Sequence, residues 1–378
     1  MSDAKLKINS LTGIRAFAAL WVVVFHFRSN AGIGGSIDYN WFAFRGYWGV
    51  DIFFVLSGFI LAYIYSKEFS SDTFSPTAYK KFLIRRIARI YPLHLATFLV
   101  FVGFLLTGYW SGHALVIENR CTLPGVGYNL LLIHGWGFTD RLTWNYPAWS
   151  ISSEWFAYLF LFYFSTRILR HIKLWLGWTI VGASWLLLCL SANHISGTIN
   201  SFTFESILRI VPEFMAGCFL YRLLQSGFGE KWTNAGTIFG LVSIAILSQM
   251  GDRWEILLLP CICILIASLY QGGSLGNAMF SSKPIVFLGE ISYSIYLVHP
   301  IVQIVGNQIV GGMNLAPSPL TGWIVLGIEL SAVVALASGG YFYVERPLRR
   351  WLIARLDSRT RTEQRTAIPS FESAHSAR

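Results

Sequence analysis

LTGIRAFAALWVVVFHF, residues 11–27, is an apolar run interrupted near its start by Arg15 and near its end by His26. A bilayer's hydrocarbon takes about 20 apolar residues as helix, and runs near 17 reach the lower limit. The stretch therefore reads as the first of a series of membrane helices. Arg15 and His26 stand eleven positions apart in the sequence, almost three whole turns at about 3.6 residues per turn, so they share a face. At about 1.5 Å per residue their separation along the axis is roughly 16 Å. One side of the helix thus carries a cation near one end and a titratable imidazole near the other. Ionisable groups at such depth are costly and mark bundle interiors or water-filled cavities. Two plainer readings stand beside this one: Arg15 as an interfacial anchor, and His26 as a neutral packed ring.

Composition points the same way. The 378 residues are 54% hydrophobic and 13% charged, with 15 Trp, 17 Tyr and 29 Phe, and the mean hydropathy is +0.53. Soluble domains run nearer a quarter charged, so the expected fold is all-α, a polytopic transmembrane helical bundle. Residues 1–10 are polar and no small-residue cleavage site follows the first apolar run, so that run reads as retained. The formal charge of +10 raises nucleic acid as a partner, but the positive residues fall in alternate loops, which speaks for topology instead. Cys121, Cys189, Cys218, Cys261 and Cys263 show no ligand spacing, and four lie in apolar runs, so neither a metal site nor a disulfide framework is expected.

Further apolar segments follow at 47–65, 91–107, 127–138, 149–166, 174–191, 204–224, 235–250, 254–270, 285–310 and 321–344. The run 127–138 is too short to cross and reads as a re-entrant or buried segment, which leaves about ten crossings. On that count nearly all loop lysines and arginines fall on one side, against Arg28, Arg45, Arg120, Arg141 and Arg253 on the other. Cytoplasmic loops collect Lys and Arg, so both termini are expected in the cytoplasm. Residues 1–351 form one membrane unit on this reading. Residues 352–378, rich in Arg, Ser and Thr, read as a disordered cytoplasmic tail.

Polar constellations interrupt the apolar helices. In GVDIFFVLSGF, residues 49–59, Asp51 falls near the depth of His26, where a carboxylate can fix the imidazole tautomer; a helix N-terminal acid is the plain alternative. In KKFLIRRIARIYP, residues 80–92, Arg86 and Arg89 share a face with Arg85 close by, a cluster that suits a polyphosphate or serves only as a topology signal. In NYPAWSISSEWFAYLF, residues 145–160, Glu154 sits about a turn below the surface among Trp149, Ser152 and Ser153, placed to act as a base, a partner of His26 or an acceptor for a sugar hydroxyl. In FLGEISYSIYLVHPIV, residues 287–302, His299 lies near mid-membrane beside Pro300. Arg209 and Glu213, four apart, can pair with each other.

Taken with VERPLRRW, residues 344–351, these segments in this order resemble the acyltransferase-3 family of bacterial membrane acyltransferases, which includes O-acetylases of lipopolysaccharide, exopolysaccharide and nodulation factors. The resemblance implies transfer of an acyl group, usually acetyl, from acyl-CoA in the cytoplasm to a hydroxyl of an extracytoplasmic glycan or lipid-linked sugar. The family's first-helix arginine and histidine match Arg15 and His26, and its RxxR motif matches Arg86 and Arg89. The expected site is therefore His26, Asp51 and Glu154 for catalysis, Arg15, Arg85, Arg86 and Arg89 for the donor, and Trp149, Ser152, Ser153 and His299 for the acceptor. Acetyl-CoA is the expected co-substrate, without metal. The expected setting is the bacterial inner membrane, with lipid as surroundings and room for a homo-oligomer. The rival reading is a transporter or flippase of a sugar-lipid or small anion. Against it, no pair of interrupted helices recurs in corresponding halves.

Overall fold

The structure, a computed structural model, describes residues 3–28, 41–65, 75–111, 120–195, 204–313 and 318–366. Among these the chain is helical, without a strand. Helix α1 (Asp3–Phe27) is the central element and packs against four others introduced below. The short α2 (Trp41–Phe44) leads through the turn Arg45–Tyr47 into α3 (Trp48–Tyr65). That turn is buried, and Arg45 pins it by pairing with Asp252 at 2.5 Å and Glu255 at 3.2 Å. Helix α4 (Pro76–Ser111) opens on a proline, whose missing N–H costs nothing in a first turn, and contains Pro92.

Residues 127–138 do not make a long helix. The eight-residue α5 (Leu123–Leu130), capped by the Thr122 hydroxyl accepting from the Gly125 N–H, gives way to turns. Helix α6 (Trp149–Phe156) runs through a π-helical turn, Ala157–Leu161, into α7 (Phe162–His171). Then come α8 (Leu174–Ile195), α9 (Phe204–Leu224), α10 (Thr233–Ser248), α11 (Leu258–Gln271) and α12 (Ser274–Phe280). Helices α13 (Lys283–Glu290) and α14 (Ser292–Gly312) meet at a bend of 69°. Helix α15 (Pro319–Gly340) passes through a second π-helical turn, Tyr341–Glu345, into α16 (Arg346–Thr366). Helix α1 packs on α3, α12, α13 and α14, so Arg15 and His26 both face the interior of the bundle.

Among the described residues five helices are long and apolar enough to cross a membrane, six if α13 and α14 count as one bent span. The molecule is thus a helical membrane protein, and the count of about ten crossings is not reached by length and apolarity. The shortfall has local causes. Four charged residues, Glu205, Arg209, Glu213 and Arg222, stand in α9, a π turn interrupts 149–171, and α10 is 16 residues long. Helix also continues beyond Trp351 to Thr366, where the sequence reads as disordered. The early part of α16 packs on α4, which stabilises a helix of modest propensity. Residues 367–378 of the expected tail lie outside the described residues.

The crossing of α3 and α9 rests on two glycines. A Cβ on Gly58 would lie 2.0 Å from the Phe214 carbonyl oxygen, and one on Gly217 would lie 2.1 Å from that of Val55. The backbones touch, as small residues allow between membrane helices. Gly58→Leu is expected to push the helices apart and cost roughly 1–3 kcal/mol, read as a lower melting temperature of the solubilised protein. An unchanged melting temperature would show that the crossing tolerates the added bulk.

Candidate active site

A cavity of about 140 Å³ lies inside the bundle, between α1, α3, α4, α6 and α14. Arg15, Arg86 and Arg89 reach its wall from α1 and α4, and Glu154, Ser57 and Tyr158 reach it from α6, α3 and the first π turn. Arg86 donates to the Tyr65 hydroxyl at 3.2 Å and lies 5.5 Å from the centre of that ring. Arg89 is paired with Glu345 of the second π turn and lies 5.5 Å from the Tyr293 ring. Among the described residues neither Arg15 nor Arg86 has an ion-pair partner. Glu154 accepts from Ser57 Oγ at 2.7 Å and from the Tyr158 hydroxyl. Both π turns thus carry a side chain that contacts this charge cluster, a recurring use of such turns at functional sites.

His26 belongs to a second cluster. Its ring stacks on that of His299 at 5.1 Å and 22°, and Tyr146 meets both edge-on, at 4.8 Å and 5.8 Å. Gln303 ties the group together: its amide donates to the His26 carbonyl at 2.6 Å, and its oxygen accepts from the Tyr146 hydroxyl at 2.8 Å. His299 is fully buried, and neither of its ring nitrogens meets a hydrogen-bond partner in good geometry. Unpartnered buried nitrogens are expensive and need an explanation such as a bound polar group.

Tyr296 separates the two clusters. It lines the cavity, its ring centre lies 5.9 Å from that of His299, and its hydroxyl accepts from Ser150 at 2.7 Å and donates to the Pro147 carbonyl at 3.0 Å. Neither His26 nor His299 reaches the cavity wall.

Several sequence expectations are redirected by this geometry. Asp51 does not orient His26. The α3–α9 crossing aims it at Arg209, which donates to both carboxylate oxygens at 2.9 and 2.6 Å, while Glu213 lies farther from Arg209, at 3.7 Å. Glu154 faces the arginines and not His26. Trp149 packs edge-on against Phe54 and lies 5.7 Å from the Arg209 guanidinium, so it belongs to the packed core. Ser152 accepts from the Gly135 N–H at 3.0 Å and donates to the Leu132 carbonyl at 2.8 Å. Ser153 shares a hydrogen bond of 2.9 Å with Ser206, which holds the Gly135 carbonyl at 2.8 Å. These two serines fasten the turns after α5, and neither lines the cavity. Arg85 also stays off the cavity wall, leaving Arg86 and Arg89.

Ser57, Tyr158, Tyr146 and Gln303 were not singled out from the sequence. For two of them a signal was present: Tyr158 follows Glu154 by four residues, and Gln303 follows His299 by four, so each pair shares a helix face.

Comparison with known proteins adds to the geometry. The chain is 28% identical to the acyltransferase MdmB of Streptomyces mycarofaciens, over 93% of this chain and 94% of that protein. It is 24% identical to the O-acetyltransferase OatA of Staphylococcus aureus and to the peptidoglycan O-acetyltransferase OatA of Listeria monocytogenes, in each case over 91% of this chain. It spans just over half of those two relatives, 57% and 56% of their lengths. No solved structure matches. The family model described as acyltransferase domain, the acyltransferase-3 family, matches residues 8–339, from the first turns of α1 to the end of α15, and the chain belongs to that family.

Proposed function

We propose that this protein transfers an acetyl group from acetyl-CoA, bound from the cytoplasmic side, to a hydroxyl of an extracytoplasmic or lipid-linked glycan. One observation carries the reading: Arg15 and Arg86 face a cavity inside the bundle, and among the described residues no carboxylate pairs with either. Like charges held together at low dielectric repel, and an anionic ligand removes that cost. Guanidinium forks match phosphate oxygens, so the phosphates of coenzyme A fit the arginine side. The side toward Glu154, Ser57 and Tyr158 is left for the thioester arm.

On this reading the imidazoles serve the acceptor. His26 takes the proton of the attacking hydroxyl, the hydroxyl oxygen bonds to the thioester carbonyl carbon, and the carbon–sulfur bond breaks to release coenzyme A as its thiolate, which takes up the proton that His26 then gives back. His299 stacks beside His26 and holds the ring's orientation with Tyr146. Tyr296 stands where donor and acceptor must meet, so transfer requires its ring to move aside. The names of the two OatA relatives support an O-linked acceptor, and that of the Listeria protein a cell-wall glycan.

The test is direct. Purified protein incubated with labelled acetyl-CoA is expected to release coenzyme A and label an added glycan acceptor. Arg86→Ala with Arg89→Ala is expected to weaken acetyl-CoA binding by about 100-fold or more, since each charge-assisted contact contributes roughly 1.5–3 kcal/mol. Unchanged affinity would leave those arginines as topology signals, and absence of any turnover with acetyl-CoA would return the transporter reading.

A further inference from the structure

A second cavity, of about 450 Å³, lies beside the first, between α13, the second π turn and α16. Arg346, Arg349 and Arg350 line it, together with Phe287, Phe342 and Glu290. Glu345 is the partition: it lines this cavity, and its carboxylate pairs with Arg89 of the first cavity. Arg349 forms no ion pair among the described residues. Its charge bears on Arg15, Arg86 and Arg89. Four guanidinium groups therefore converge across the partition. The carboxylates among them are Glu345, shared with Ser294 at 2.9 Å, and Glu154, held by Ser57 and Tyr158. Phe287 and Phe342, whose rings lie nearly parallel, 6.2 Å apart at 20°, line the same cavity as the arginines. They give it an aromatic surface.

We propose that the second cavity is a nucleotide subsite. It takes the nucleoside end of the donor with its ribose phosphate on Arg349 and Arg350 and its purine base against Phe287 and Phe342, with Glu290 at the rim for a ribose hydroxyl. This rests on the acetyl-CoA reading and extends it: the base and ribose phosphate stay in the outer cavity, the pyrophosphate lies at the Arg89–Glu345 pair on the arginines of the inner cavity, and the thioester arm continues into that cavity. Glu345 holds Arg89 until a phosphate oxygen replaces it. An anionic lipid headgroup offers the same phosphate chemistry to the arginines. The aromatic rings, and the inner cavity just across the Arg89–Glu345 pair, favour the nucleotide, because bases stack on aromatic rings whatever their identity.

The experiment uses the full chain in nanodiscs of zwitterionic phosphatidylcholine, titrated with acetyl-CoA, with adenosine bisphosphate (the nucleotide fragment of coenzyme A) and with acetyl-pantetheine, which lacks the nucleotide. Wild type is expected to bind all three, with adenosine bisphosphate competing against acetyl-CoA. Arg349→Gln is expected to lose about 10- to 100-fold in affinity for the two nucleotide ligands, to keep wild-type affinity for acetyl-pantetheine, and to regain part of the loss as Arg349→Lys. If Arg349→Gln does not fold, Phe342→Ala on the exposed aromatic face is expected to weaken adenosine bisphosphate by about tenfold. Wild-type affinity for the nucleotide ligands in both variants, with acetyl-CoA still bound, would overturn the subsite and leave the donor reading intact. Failure of wild type to bind acetyl-CoA would overturn both. Loss of adenosine bisphosphate binding when anionic phosphatidylglycerol is added would assign the cavity to a lipid headgroup and overturn the nucleotide.

Discussion

His26→Ala is expected to lower acetyl transfer by about 10²–10⁴-fold, the contribution of a positioned general base, in protein that is still folded and inserted. The expectation rests on placement. His26 stands at one end of α1 with its carbonyl held by Gln303 and its ring held between His299 and Tyr146. That frame fixes the backbone independently of the imidazole, so removing the ring removes chemistry more than structure. Binding of acetyl-CoA should be untouched, because the arginines face a cavity that His26 does not line. The pair of measurements is therefore diagnostic: turnover falls and donor affinity stays. Near-normal turnover in His26→Ala would remove His26 as the base and turn attention to Glu154, a carboxylate that does reach the cavity.

The second large effect is on stability. Asp51→Ala leaves the Arg209 guanidinium buried with its two best hydrogen bonds gone, retaining the Tyr47 carbonyl at 3.4 Å and Glu213 at 3.7 Å. Breaking a buried ion pair on one side typically costs about 3–5 kcal/mol, which would show as a marked drop in melting temperature and in yield of monodisperse protein. Replacing the whole set with apolar or neutral residues of similar size, Asp51→Leu with Arg209→Met and Glu213→Gln, should recover much of the loss, because no charge is then stranded. If Asp51→Ala instead kept its stability and lost turnover, Asp51 would belong to the chemistry and the ion pair would be incidental.

What could be read along one helix was legible before any fold was known. Arg15 and His26 share a face of α1, and Arg86 and Arg89 share a face of α4, because 3.6 residues per turn relates near neighbours directly. What crosses between helices was not. Asp51 and Arg209 are 158 positions apart, and their meeting depends on two glycines that let α3 touch α9. Depth alone makes Asp51 one candidate partner of His26, beside a plain helix N-terminal acid, and depth does not say which way a side chain points. The Arg89–Glu345 pair had the same obstacle, since VERPLRRW carries no trace of its partner. Trp149, Ser152 and Ser153 misled for another reason. Aromatic and hydroxyl residues beside a carboxylate resemble a sugar site, but they equally suit a core that must tie down the irregular backbone after α5, and here that backbone claims them.

The single phenol of Tyr296 between the two polar clusters has a consequence for the membrane as well as for the enzyme. A conduit continuous from the arginines to the imidazoles would let protons and ions run down their gradients through every idle molecule. Tyr296, latched by Ser150 and the Pro147 carbonyl, stands between the two, and on the proposed reading it needs to yield only when a carbonyl is ready to cross. Loosening the latch with Ser150→Ala is therefore expected to raise proton leak in proteoliposomes, a cost borne by the cell's energy supply.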